Sequence, residues 1–140
     1  MNVQERTQEK VVLDFREICS RLERLTLPPV DLVVGIATGG SVPASLVAYK
    51  LGAPLAMMRL NYRAEDNTPQ RPEPELLSTF QPPNAARVLL VDDVSVTGKT
   101  LAAAKLLLPR SHVTTLVMKG RGDYVLFPEV ASCVVWPWKP

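Results

Sequence analysis

The stretch that decides the fold runs Arg87-Val88-Leu89-Leu90-Val91-Asp92-Asp93-Val94-Ser95-Val96-Thr97-Gly98-Lys99-Thr100. A continuously apolar run ends in two adjacent acids, which lead through small hydroxylated residues into Gly-Lys-Thr and an Ala/Leu-rich segment. Val88 to Val91 reads as a buried strand that delivers paired carboxylates to its carboxyl end. The turn from Ser95 to Thr100 then aims backbone N–H groups into the crevice beyond the strand, an anion cradle beside a clamp for a diol or a metal.

Two other readings of this stretch fail on chemistry. A nucleotide-triphosphate P-loop needs a glycine five residues before its Gly-Lys-Thr, and that position is Asp93, whose carboxylate repels phosphate. A plain helix cap needs one short polar residue, not two acids at the tip of an apolar strand.

Working outward, Asp31-Leu32-Val33-Val34-Gly35-Ile36-Ala37-Thr38-Gly39-Gly40-Ser41-Val42-Pro43-Ala44 repeats the plan of strand, glycine turn and helix. Ser41 is the expected N-cap, and Pro43 is tolerated in a first helical turn. Val11, Phe15, Ile18, Leu22 and Leu25 recur at steps of four and three, which predicts a helix from about Gln4 to Leu25 with Cys19 beside its apolar stripe. Pro28-Pro29 ends it, and a strand from Val30 to Ile36 follows. Next come a helix over Val42 to Leu51, a strand over Leu55 to Leu60, and a helix over Gly98 to Leu108 stopped by Pro109. Further strands are expected over His112 to Met118, Tyr124 to Phe127 and Cys133 to Trp136. Strands alternating with helices imply an α/β fold, a parallel twisted sheet flanked by helices, with ligands beyond the carboxyl ends of the strands.

A chain of 140 residues with 46% hydrophobic content is expected to form a single domain over 1–140. Its net charge of +2 comes from 16 basic and 14 acidic residues mixed along the chain, with no basic block of the kind that tracks nucleic acid. The apolar runs are too short to span a membrane. Met1 to Lys10 is polar, without the apolar centre of an export leader, and Cys19 and Cys133 match no metal spacing. The expectation is a cytoplasmic protein with reduced thiols. The single histidine, His112, opens a strand and reads as a surface residue, so no Ser-His or Cys-His nucleophile system is readily assembled. Asn61 to Asn84 is rich in Pro, Glu, Gln and Asn, lacks an apolar period and cannot pack as a core element.

The segment from Arg87 to Thr100 resembles the 5-phosphoribosyl-1-pyrophosphate (PRPP) signature of type I phosphoribosyltransferases: apolar strand, two acids, a short variable stretch, Thr-Gly-x-Thr. The loop at Gly35 to Ala44 resembles the pyrophosphate loop of the same family, in which a cis peptide commonly precedes the glycine pair. That bond would fall at Ala37-Thr38. The resemblance implies that Asp92 and Asp93 hold the ribose hydroxyls, directly or through Mg²⁺. Ser95, Val96, Thr97, Gly98, Lys99 and Thr100 would take the 5′-phosphate, and Thr38, Gly39 and Gly40 the pyrophosphate. Relatives often carry Arg or Lys where Thr38 stands, so one cationic contact is missing. Asn61 to Asn84 corresponds to a flap that closes over PRPP, with Arg59, Arg63 and Arg71 as candidate phosphate contacts.

The carboxyl-terminal third resembles the small hypoxanthine/guanine/xanthine (6-oxopurine) members, forming a small base-binding hood. There Lys119 matches a lysine that donates to the purine O6, and Cys133 and Val134 lie on the closing strand that meets the base edge. Three departures stand out. Cys133 replaces a stacking aromatic, leaving Trp136, Tyr124 or another ring for that role; Lys139 stands where an acid usually follows Pro-Trp; and Val96 replaces an Asp thought to handle the N7 proton. The resemblance implies a Mg²⁺-dependent enzyme of purine salvage acting on PRPP and a nucleobase, commonly as a homodimer, with neither nucleic acid nor membrane as partner. A non-catalytic PRPP or nucleotide sensor of the same fold is the alternative.

Overall fold

The computed structural model describes residues 10–61, 75–76 and 84–139. Eight strands and three helices occur in these segments. They are β1 (Val11–Val12), α1 (Phe15–Arg24), β2 (Leu32–Ala37), α2 (Ser41–Leu51), β3 (Leu55–Asn61), β4 (Glu75–Leu76), β5 (Arg87–Ser95), α3 (Lys99–Leu106), β6 (His112–Gly120), β7 (Tyr124–Val125) and β8 (Val134–Val135). The main sheet has the order β4-β3-β2-β5-β6-β7. Its five central and far strands run parallel, and β4 joins the β3 edge antiparallel. The expected parallel sheet is therefore present, with one short antiparallel addition inside the Asn61 to Asn84 segment.

Alternation along the strands sends side chains to two cores. Val33, Leu89, Val91, Leu116 and Met118 pack on one face against Ile18 and Leu22 of α1 and Ala44 and Val47 of α2. Their neighbours Val34, Val88, Leu90 and Val117 pack on the other face against Leu101 and Ala104 of α3. Because α2 leaves β2 on one face and α3 leaves β5 on the other, the chain diverges between these two adjacent strands. The crevice beyond their carboxyl ends is the position at which doubly wound sheets bind ligands.

The amino-terminal reading needs correction. Among the described residues the first helix starts at Phe15, where the Asp14 carboxylate accepts the Glu17 N–H at 2.9 Å, a side-chain cap that sets the boundary. Val11 is extended, although it fits the helical stripe. It lies in a two-stranded parallel sheet, Val11 opposite Val134 and Val12 opposite Val135. The hood over the sheet is thus built from both regions of the chain, not from the carboxyl-terminal third alone. Residues 1–9, Arg63, Arg71 and most of the Asn61 to Asn84 segment lie outside the described residues. Cys19 is half-buried and Cys133 exposed, both as free thiols. No described helix is long and apolar enough to cross a membrane.

Candidate active site

β5 does not stop at Val91. Its neighbour β6 runs alongside as far as Gly120, pairing Asp92 with Val117, Val94 with Lys119 and Ser95 with Gly120, so the ladder carries the acids inside the sheet. Asp92 and Asp93 are consequently buried, 8% and 7% exposed. Each carboxylate is fixed by a local bond: Asp92 Oδ1 accepts the Asp93 N–H at 2.8 Å, and Asp93 Oδ1 accepts the Val94 N–H at 2.7 Å. Burial, reinforced by the charge of Asp93, pushes the Asp92 carboxyl well above the usual carboxylate range, while Lys139 works against the shift. Asp93 Oδ2 is buried without a hydrogen-bond partner among the described residues, and Lys139 Nζ stands 2.9 Å from it as an ion pair.

Neither acid caps the helix that follows. The N-cap of α3 is Gly98, at φ 84°, and it supplies no side-chain oxygen to the first turn. Thr97 Oγ1 accepts the Lys99 N–H at 3.3 Å, which shapes the turn. Ser95 is anchored from behind, its carbonyl accepting the Arg121 N–H at 2.8 Å.

The second loop reaches the same acids from β2. The Ala37-Thr38 peptide is cis, as the resemblance implied. Gly39 and Gly40 are close-packed: a Cβ on Gly40 would lie 2.6 Å from the carbonyls of Ile36 and Val91, and one on Gly39 would run into the Asp93 carboxylate. Gly40, not Ser41, is the N-cap of α2. Ser41 instead begins the helix, its carbonyl accepting the Ser45 hydroxyl at 2.7 Å.

A cleft of about 570 Å³ gathers most of the expected residues. Asp92 and Asp93 line it together with Ser95, Val96, Thr97, Gly98 and Thr100 of the turn after β5. Lys119, Cys133, Val134 and Trp136 line it as well. Thr38, Gly39, Gly40 and Lys99 do not line it, nor does Arg59, which is exposed on β3. Ile36 and Ala37 do, so the end of β2 meets the cleft while the loop after it packs on Asp93 through Gly39. Lys119 is half-buried and donates to the Ser132 carbonyl at 2.6 Å, which ties β6 to the hood and separates it from an ordinary strand-end surface lysine. Of the two candidate rings, Trp136 lines the cleft and Tyr124 does not.

Two charged cleft residues had no assigned role in the sequence. Lys10 enters because β1 pairs with β8, and the signal was the β-branched pair Val11-Val12 beside it. Lys139 enters because Trp136 and Trp138 stack, centroids 5.1 Å apart and planes at 9°, folding the chain back over the acids.

A parallel sheet with an acid pair and a glycine-containing turn beyond adjacent strands at its switch point defines a doubly wound α/β protein. A family model described as the phosphoribosyl transferase domain matches residues 11–135, and the chain belongs to that family. It is 37% identical over 102 residues to an adenine phosphoribosyltransferase of Chloroflexus aurantiacus, covering 64% of this chain and 57% of that protein. It is 34% identical over 94 residues to an orotate phosphoribosyltransferase of Pyrobaculum islandicum, covering 67% and 42%. A xanthine-guanine phosphoribosyltransferase of Cereibacter sphaeroides is 28% identical over 117 residues, covering 76% and 67%. The chain thus spans about half the length of the first two of these relatives. Among solved structures, a purine phosphoribosyltransferase from Pyrococcus horikoshii Ot3 superposes with a TM-score of 0.73 at 25% identity, covering 94% of both chains.

Proposed function

We propose that the protein transfers ribose 5-phosphate from PRPP to a nucleobase nitrogen and releases pyrophosphate. The observation that carries this reading is the joining, in one cleft, of a buried acid pair, an uncapped amide turn and a half-buried lysine at the base end. The barrier lies in parting pyrophosphate from a ribose carbon that becomes cationic, so stabilisation of charge and alignment of reactants are what the chain must supply. Asp93 Oδ2, whose neighbour among the described residues is the Lys139 ammonium, is the acceptor for ribose hydroxyls once that lysine yields. The turn from Ser95 to Thr100 takes the 5′-phosphate, and the family resemblance gives pyrophosphate to Thr38, Gly39 and Gly40, which lie outside the lining of the cleft. The hood excludes water that would capture the cation.

The favoured base is a 6-oxopurine. An ammonium has three donors, and Lys119 commits one of them to Ser132, leaving others for a base carbonyl. Adenine would set an amino group against those donors, which is unfavourable. Relatives acting on adenine, orotate and xanthine-guanine are all similar to this chain, so a panel of these bases is the direct test. Mixed with PRPP, the protein should release pyrophosphate faster with guanine, hypoxanthine or xanthine than with adenine or orotate. The reverse order overturns the base assignment, and no release with any base favours a PRPP or nucleotide sensor, for which Val96 in the cleft wall is the supporting observation.

Mg²⁺ belongs to the same proposal through the family resemblance. The donor set does not fit direct coordination by the acids. Asp92 is buried and accepts the Asp93 N–H, Asp93 Oδ2 faces Lys139, and the described residues contain no group of three acids, histidines or cysteines able to cage a metal.

A further inference from the structure

The misfit between the acid pair and a metal has a specific cause. Asp93 lines the cleft and is nine-tenths buried as a side chain, and its Oδ2 has no hydrogen-bond partner among the described residues. The cation beside that atom is Lys139 Nζ, at 2.9 Å. Lys139 does not arrive there by chance of a long side chain. The Lys139 N–H donates to the Trp136 carbonyl at 3.2 Å, closing a turn. Trp136 is buried, stacks on Trp138, and Trp138 in turn meets Phe15 of α1 at 6.2 Å. The lysine is therefore held over the acids by an aromatic anchor, while its own side chain remains half exposed and free to exchange with solvent.

We propose that Lys139 is the resident counter-ion of Asp93 and occupies the place that a divalent metal would take at the acid pair. A tethered ammonium offers one positive charge without dehydrating an ion, and it can swing away when ligand hydroxyls donate to Asp93. The consequence, which rests on the phosphoribosyl reading above, is that a ribose phosphate binds by exchanging with Lys139 and does not require free divalent metal at the carboxylates.

Mn²⁺ alone, followed by the electron paramagnetic resonance signal of the free ion, tests the role of Lys139 without any sugar phosphate. Wild type should bind Mn²⁺ at least about tenfold more weakly than Lys139→Met. The gain should vanish in Lys139→Met/Asp93→Asn, and Lys139→Arg should match wild type. Equal Mn²⁺ affinity in wild type and Lys139→Met overturns the proposal, as does a gain that survives loss of the Asp93 charge. Should the Met variant fail to fold, Lys139→Gln gives the same comparison. A second titration, with ribose 5-phosphate in EDTA and in Mg²⁺, should show metal-independent binding to wild type and metal-dependent binding to Lys139→Met. Metal-dependent binding to wild type overturns the proposal, whereas failure of ribose 5-phosphate to bind either protein overturns the phosphoribosyl reading.

Discussion

Gly39 and Asp93 meet with no room for a side chain between them: a Cβ on Gly39 would lie 2.5 Å from Asp93 Oδ2 and 2.6 Å from Oδ1. The loop after β2 and the end of β5 thus form one unit, and the glycine serves to let the acid sit where it does. Gly39→Ala should displace the Asp93 carboxylate, which is a side chain and can yield, at a cost of roughly 1–3 kcal/mol. Gly120→Ala should be worse, on the order of 3 kcal/mol or more, because its φ of 106° is strained for alanine and the new Cβ would fall 1.9 Å from the Ser95 carbonyl, which is backbone. Urea unfolding of the two variants checks the order. Ribose 5-phosphate binding should be weakened in Gly39→Ala even where it folds.

Asp93→Asn should lower turnover roughly 10²- to 10³-fold while leaving thermal stability unchanged or raised. The amide keeps the shape, and its oxygen can still accept the Val94 N–H. It also relieves the like charge that bears on buried Asp92, and Lys139 can move into solvent. Pyrophosphate release and a melting curve on the same preparation measure both. Unchanged turnover would remove Asp93 from the reacting centre.

Much of this site was legible because its parts are local. The apolar run, the acids and the Thr97-Gly98-Lys99-Thr100 turn are contiguous, and each element's chemistry follows from its own residues. What escaped reading is non-local. The apolar pattern stops at Val91, yet the strand continues to Ser95 because β6 supplies backbone partners that no pattern within 87–100 reveals. Val11 satisfied a helical period and was claimed by β8 across the chain, since the Asp14 cap already fixed where α1 begins. Lys139 looked like a missing acid until the stacked tryptophans placed it on Asp93.

Glu129 should contribute to the acid limb of the stability profile, modestly because its ion pair is solvent-exposed. The Arg21 guanidinium bonded to it holds its carboxyl down to about 2, below the ordinary 4.5. A depressed acid contributes stability that is present above its unfolded value and lost as pH falls from about 4.5 towards 2. Asp31, held down by Arg87, acts in the same direction. Asp92 acts oppositely: its raised carboxyl favours the fold when protonated, and that contribution is lost as pH rises above 3.8. Denaturation across pH should therefore show Glu129→Gln converging on wild type at the acid end. Asp92→Asn should gain relative to wild type as pH rises. Parallel curves for either variant would contradict its assignment.

Val96 offers a gain-of-function test of the base chemistry. It is 66% exposed and lies in the cleft wall just beyond the last paired residue of β5, so a carboxylate there meets solvent and ligand instead of core. Val96→Asp should change stability by no more than about 0.5 kcal/mol. A positioned acid or base contributes roughly 10² to 10⁴ in rate when its geometry is refined. An introduced one, with no surrounding residues adapted to orient it, should raise kcat with a 6-oxopurine by about tenfold. The same charge sits beside the turn assigned to the 5′-phosphate, so the KM for PRPP should rise as kcat rises. Pre-steady-state pyrophosphate release separates the two effects. If kcat is unchanged with guanine, hypoxanthine and xanthine alike while KM for PRPP rises, Val96 borders the phosphate only and the reacting nitrogen lies elsewhere in the cleft.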